Sequence, residues 1–463
     1  MKSLGKLESV SQDLLDTPGA SHFCIEHFAN YRSQPTSIQL RIILLHEAGE
    51  IHTIISDHEF PPGTDIDNLE DLTAAAKNLG SEPICLTLPL ELETVSIQKP
   101  WGQEIWYSGI EKRGVSTVKS VPLPWLLSVF GDYLGCADSP MLLKILDPFP
   151  EPNLGDLYFE MHEKKIEVYV VTQINPEAWP TGLGKIRYGF NQDVINEFES
   201  VDIFRNSYQL AVTEYRLTRN EVDAQIKSLK KQKGLVAGSL LTPSEYNEFI
   251  AQIDPELKAR EEQLRQTMYR HTGMRDLSVG DVVTVAPMVP HSLQHGVRVI
   301  EFQTPHYERY ILSFGQEVLT QGHWDTDRAI AGAKTEISTP EPPVQISPSL
   351  DLIADFDAFK VIRLRLDPGG CAQTQHNNYT IVIGVAGEMS LSDLTVVGPE
   401  QAFFQAPKEA LRFTNWGNAQ ATVLIAEENT PPLGRKEILD CITFFCQLRL
   451  GFIHFPSTEI VYS

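Results

Sequence analysis

GDLYFEMHEKKIEVYVV, residues 155–171, places three metal-ligand residue types, Glu160, His162 and Glu167, within eight positions of a strand-like run. On a strand, side chains alternate between faces, so Glu160 and His162 project to one side. A turn at Glu163-Lys164 then starts a second strand that brings Glu167 beside them. The plain alternative is a polar interruption in a β-hairpin, because a Glu-x-His pair on a strand is ordinarily a solvated face. The stretch therefore needs a fourth ligand from elsewhere in the chain. VAPMVPHSLQHG supplies a candidate, His291, after a proline-rich turn between strands. Two carboxylates and two imidazoles suit Zn2+ with a position left for water or substrate, and Mn2+, Fe2+ or Co2+ fit the same donors. His295, His306, His323 and His376 show that histidine is not scarce in this chain.

The rest of the chain sets bounds on the reading. Its 463 residues are enough for two or three domains, and 42% hydrophobic with 21% charged content is ordinary for a globular protein. No apolar run reaches the ~18 residues that cross a bilayer. The opening MKSLGKLESVSQDLLDTPGA has no continuous apolar core, so a secretory signal is not expected and a cytoplasmic location is. Cys24, Cys85, Cys136, Cys371, Cys441 and Cys446 are scattered with no CxxC pair, against a disulfide framework or a cysteine zinc site. A formal net charge of −23 argues against a nucleic-acid partner. An acidic whole still leaves room for a local basic pocket that takes a small phosphorylated metabolite.

Composition divides the chain into segments. Residues 1–95 form an extra N-terminal region, with an apolar run at 37–55 and a helix near DIDNLEDLTAAAKNLG, capped by Asp65 or Asp67 and ended by Gly80. From 96 to 190, short apolar runs (KPWGQEIWYSG, MLLKILDP, LYFEMH, KKIEVYVVTQI) separated by Pro, Gly and Asn read as strands. Residues 191–273 turn helical: Thr242 caps, Pro243 occupies the first turn and Glu245 completes a capping box, while Asp254-Pro255 starts another helix that stops at Gly273. A helical block between strands reads as an insertion into a β-domain, which 274–333 completes. The Pro- and Thr-rich stretch 334–349 is the expected linker, 350–430 a second β-rich domain with sandwich or jelly-roll alternation, and 431–463 a closing helix and strand whose Cys441 and Cys446 serve as core residues.

Order and spacing then point to a family. Gly155-x4-Glu160-x-His162-x4-Glu167, followed by Gly280-Asp281 and Pro287-x3-His291, resembles the two motifs of a cupin barrel. More specifically, the chain resembles the class I mannose-6-phosphate isomerases. The matching features are KPWG (99–102), LLKILDP (142–148), Glu160-Met161-His162, Lys165-Ile166-Glu167-Val168-Tyr169, Tyr188-Gly189-Phe190, GDVVTVAPMVPH, IEFQ (300–303) and HWDTDRAIAGA; YTIVIGVAGE resembles that family's second, metal-free barrel. The resemblance covers roughly residues 96–430. It implies a mainly β fold of two cupin-type jelly-roll barrels with an α-helical insertion, beside an extra N-terminal α/β region. It also implies metal ligands at Glu160, His162, Glu167 and His291, and catalytic roles for Arg309, Lys165 and Glu301. The bland readings of those three are a surface arginine pairing with Glu308, a turn lysine, and a salt bridge to Arg298. Glu160 stands where the family carries glutamine, and the segment before Arg309 is the short TPHYE.

The activity this implies is aldose–ketose isomerisation of a small anionic sugar phosphate, mannose 6-phosphate to fructose 6-phosphate, with no membrane partner and no assignment of oligomeric state. Two other classes stay open at this point. One is a non-catalytic bicupin that binds a metal or sugar phosphate as sensor or scaffold. The other is a metal-dependent oxygenase, which usually keeps a histidine-rich ligand set.

Overall fold

The structure, a computed structural model, describes residues 1–136, 139–236, 238–319, 321, 323–336, 342–392, 395–407 and 410–429, together with the backbone of 442 and 443. Its N-terminal unit is a five-stranded sheet in the order Lys2–Leu7, Gly19–Ala29, Thr36–Glu47, Glu50–Ser56, Ile84–Cys85. The long apolar run at 37–55 is a hairpin. Ala48 and Gly49 both have positive φ (54° and 86°), the two-residue turn whose twist matches paired strands. The run is apolar without clean alternation because both faces are covered. Ile43, Leu45 and Ile54 pack under helix Leu69–Asn78, while Leu40, Ile42, Leu44, Ile51 and Ile55 face the main core. That helix is capped by Asn68, whose Oδ1 accepts from Asp71 N at 3.0 Å, in place of the expected Asp65 or Asp67. Asn68 is the residue directly before the first turn, so its short side chain reaches the third helical N–H. Gly80, at φ 68°, follows the helix as expected.

The middle of the chain closes a barrel from two sheets. One runs Val282–Val285, Glu167–Ile174, Val297–Gln303, Leu142–Pro148, Gly102–Trp106, Val95–Lys99; the other runs Thr272–Leu277, Gly184–Phe190, His291–Leu293, Phe159–Met161, Tyr310–Ser313. Phe159–Met161 and Glu167–Ile174 therefore lie in opposite sheets. The Glu163-Lys164 bend is a corner that crosses between them and not a hairpin turn. Inward-facing Leu146, Tyr169, Val171, Ile186, Val283, Val299 and Ile311 fill the lower interior.

The helical insertion grows out of one hairpin. Strands Gly184–Phe190 and Thr272–Leu277 pair with each other, and Asn191 N bonds His271 O at 2.9 Å where the excursion leaves and returns. Between them lie Gln192–Ile195, the 32-residue helix Val201–Gln232, and helices Pro243–Ala251 and Pro255–Tyr269. The Thr242–Glu245 capping box and the Asp254 cap form as the sequence predicts, and the last helix ends at Tyr269, leaving Gly273 inside a strand. Phe204, Tyr208 and Tyr215 of the long helix pack with Phe159 and Phe190 of the barrel.

A second barrel follows. Its larger sheet runs Val344–Ser347, Leu350–Asp355, Phe359–Leu366, Ala421–Glu428, Thr380–Ala386, Ala402–Gln405, Leu90–Glu91, and its smaller one runs Thr395–Val397, Met389–Leu391, Ala410–Thr414, Cys371–Gln375, Ile442–Thr443. Two stretches differ from the sequence-based division. Val344–Ser347 lies in the expected linker yet forms an edge strand, and Leu90–Glu91 leaves the N-terminal region to pair with Phe403 and Phe404. The linker residues 337–341 and, apart from the backbone of 442 and 443, the expected C-terminal helix and strand lie outside the described residues. One core cluster joins all three units, from Leu40 and Ile42 through Leu143, Val170 and Phe302 to Ile381 and Leu424. The fold is mainly β: two cupin-type barrels, a helical insertion and an N-terminal α/β region. Among the described residues no helix is long and apolar enough to cross a membrane.

Candidate active site

Glu160, His162, Glu167 and His291 come together inside the first barrel. Glu160 is directly opposite His291 on adjacent strands of the smaller sheet, and Glu167 opens a strand of the facing sheet. One donor atom from each of Glu160, His162 and His291 lies within 4.8 Å of the other two. Glu167 touches both imidazoles, with Oε1 3.5 Å from His162 Nε2 and Oε2 3.0 Å from His291 Nε2. Both histidines and Glu167 are buried.

The backbone fixes how the rings face. Carbonyls only accept, so His162 Nδ1–H donates to Glu308 O at 2.8 Å and His291 Nδ1–H to Val289 O at 3.0 Å. Each ring then turns Nε2 toward the carboxylates, the arrangement that holds imidazole ligands in metal sites. His162 Nε2 and Glu160 Oε2 are buried without a hydrogen-bond partner among the described residues. Burial, reinforced by the positive charge of Lys165, holds the His162 pKa well below the usual range, so the ring is neutral with its lone pair inward. A carboxylate oxygen 3.0 Å from a ring nitrogen whose partner atom carries the proton needs a cation between them, either a second proton or a metal. The donor set fits a divalent metal.

Around these residues runs a line of buried charge: Lys99 to Glu104 (3.1 Å), Lys144 to Glu301 (3.2 Å), and Lys165 to Glu167. Burial opposes ionisation of Glu104, but Lys144 and Lys99 outweigh it and hold the carboxyl at about 2. Glu167 behaves alike, burial being overcome by Lys165 and by the hydrogen bond to His291, so it is held well below the ordinary carboxyl range. Glu301 goes the other way. Burial and the neighbouring Glu167 charge, against the pull of Lys144, push it well above that range. Of the two neighbouring carboxyls, Glu167 is thus the one held as the carboxylate. Tyr169 adds a hydroxyl to Glu167 Oε2 at 2.9 Å.

The three residues expected to be catalytic are all here, each with partners the sequence did not foresee. Arg309 pairs through Nε with Glu160 Oε2 at 3.5 Å and lies over the Tyr158 ring at 4.7 Å. Its side chain is 15% and that of Glu160 19% exposed, which makes these two the solvent-facing members of the group. Lys165 is buried on Glu167 and is no turn lysine. Glu301 pairs with Lys144, whereas Arg298 bonds Asp147 (2.6 Å) and Glu400 (2.9 Å) near the second barrel.

Sequence reasoning passed over two residues. Lys144 interrupts the apolar run LLKIL, and with the strand's alternation a lone lysine there signals a buried, paired charge. Glu308 gave no signal at all. Its carbonyl orients His162, and its carboxylate accepts from the backbone N–H of Lys164 and of Lys165, the latter at 2.8 Å, clamping the corner. Met288 N, donating to His162 O at 2.7 Å, ties the turn before His291 to the same corner.

No protein-family model matches the chain, and no curated protein matches it. Solved structures do. An arginine-to-alanine variant of phosphomannose isomerase from Salmonella typhimurium aligns at a TM-score of 0.50 and 14% identity, covering 74% of this chain and 100% of that one. A mannose 6-phosphate isomerase from Bacillus subtilis aligns at 0.48 and 15%, covering 73% and 99%. A zinc-bound mannose 6-phosphate isomerase aligns at 0.48 and 13%, covering 74% and 100%. The first of these likenesses is one of fold.

Proposed function

We propose that this chain is a metal-dependent aldose–ketose isomerase of a sugar phosphate, with mannose 6-phosphate to fructose 6-phosphate as the reaction to test first. The observation that carries the reading is the pair of imidazoles, each held by a backbone carbonyl with Nε2 turned onto Glu160 and Glu167. Glu160, His162, His291 and Glu167 would hold Zn2+, or Mn2+, Fe2+ or Co2+, and the bound ion supplies Lewis-acid stabilisation of charge on the sugar oxygens. Arg309, at the solvent-facing side, offers a planar guanidinium to phosphate or sugar oxygens. Lys165 fixes Glu167, and Lys144 fixes Glu301. Glu301, once deprotonated, would be the base that moves a proton between adjacent sugar carbons.

The test is to quantify metal in the purified chain and follow mannose 6-phosphate conversion with zinc added. Metal-dependent turnover that disappears in His162→Ala and His291→Ala is expected. Stoichiometric metal with no turnover would remove the isomerase reading and leave a metal- or sugar-phosphate-binding bicupin. One observation favours that second reading: Arg309 is already engaged by Glu160, whose full charge also neutralises the cation. Absence of metal, with stability unchanged in a Glu160→Ala/His162→Ala double variant, would remove both.

A further inference from the structure

A second group of ligand-type side chains lies in the N-terminal sheet, far in sequence from the barrel site. His52 and Cys85 are directly opposed on the antiparallel strands Glu50–Ser56 and Ile84–Cys85, and Glu50 lies two residues before His52, on the same face. One donor atom from each of Glu50, His52 and Cys85 lies within 4.8 Å of the other two. His52 Nε2 is 2.9 Å from Glu50 Oε2, and Cys85 Sγ is 3.2 Å from Thr87 Oγ1.

We infer that Glu50, His52 and Cys85 form a zinc-type metal site that braces the edge of the N-terminal sheet. A tetrahedral ion with bonds of ~2.0–2.3 Å separates its ligand atoms by roughly 3.3–3.8 Å, so atoms already within 4.8 Å of one another need shift by at most roughly 1.5 Å, the His52–Glu50 pair at 2.9 Å opening slightly. Thiolate, imidazole and carboxylate together select a borderline-soft cation over Mg2+ or Ca2+. The Thr87 hydroxyl is placed to hold the sulfur as an outer partner, and Leu45, paired with His52, supplies an apolar wall. His52 is buried while the Glu50 side chain is 47% exposed, giving the ion a way in and a fourth position for water. The site joins a two-residue edge strand, held by only two backbone pairs, to its neighbour at the point where the chain leaves the N-terminal unit.

The test uses cobalt as the probe, because the barrel site contains no sulfur ligand. The full chain carrying Glu160→Ala and His162→Ala, kept reduced, is titrated with Co2+. A near-ultraviolet thiolate-to-cobalt charge-transfer band saturating at one equivalent is expected. It should vanish when Cys85→Ser is added, and Glu50→Ala, at a half-exposed position that leaves the sheet intact, should weaken cobalt binding by roughly tenfold or more. No band at equimolar cobalt, or a band that persists with Cys85→Ser, overturns the assignment.

Discussion

Changing Glu427 to glutamine keeps the side chain's shape and removes its charge, and the second barrel makes the consequence calculable. Glu427 Oε2 lies 2.8 Å from Lys360 Nζ and 2.7 Å from His376 Nδ1, while Oε1 accepts from Asn377 N at 3.1 Å. Glu427, Lys360 and His376 are all buried. Burial works against the carboxylate, but His376 and Lys360 outweigh it and lower its pKa from 4.5 to about 2. A carboxylate held low in the folded state contributes stability that is complete above the unfolded value and drains away as pH falls toward the folded one. At 1.36 kcal/mol per pH unit, the ion contributes roughly 3 kcal/mol at pH 7 and about half that at pH 3. Guanidinium unfolding of the native chain and Glu427→Gln, run side by side from pH 7 to pH 3, measures the difference directly. The native chain should lead by roughly 3 kcal/mol at neutral pH, and the lead should shrink steadily below pH 4.5. Curves that stay parallel across that range refute the reasoning, because the charge on Glu427 would then have contributed nothing that its protonation or a neutral amide removes.

Gly102→Ala should destabilise the first barrel by about 3 kcal/mol or prevent its folding, since a Cβ there meets Asp147 O at 2.2 Å and φ is +145°; the melting temperature reads it. Thr242→Ala breaks the capping box and should cost ~1 kcal/mol, seen as faster hydrogen exchange confined to Pro243–Ala251. Glu308→Ala keeps the carbonyl that holds His162 but releases the backbone of Lys164 and Lys165; zinc affinity, measured by competition with a chelator, should fall about 10–100-fold, and an unchanged affinity would mean the corner holds itself.

The convergence of Glu160, His162, Glu167 and His291 was largely legible in the sequence. The alternation in FEMH, the spacing to Glu167 and the proline-rich approach to His291 are local patterns, and local patterns survive folding. What the sequence did not reveal depends on contacts across the chain. Glu301 finds Lys144 and not Arg298 because the two strands are neighbours in the sheet, with Lys144 opposite Glu301. The Glu163-Lys164 bend reads like a hairpin, since nothing in its residues records that the next strand joins another sheet. Glu308 acts through a carbonyl that every residue possesses. The 37–55 run hid its hairpin because a sheet covered on both faces loses the alternation that marks a strand.

Leu90–Glu91 gives the order of synthesis a particular weight. This short strand leaves the first unit to be built and completes the edge of the last sheet, against Phe403 and Phe404, with more than three hundred residues between partners. At ~5–20 residues per second, it waits on the order of tens of seconds for that partner to emerge. The first barrel can close meanwhile, but the second stays open along one side until the earliest part of the chain returns to it. Closure of the molecule is therefore a late meeting of its two halves, and any cut between residues 91 and 95 separates the second barrel from a strand of its own sheet.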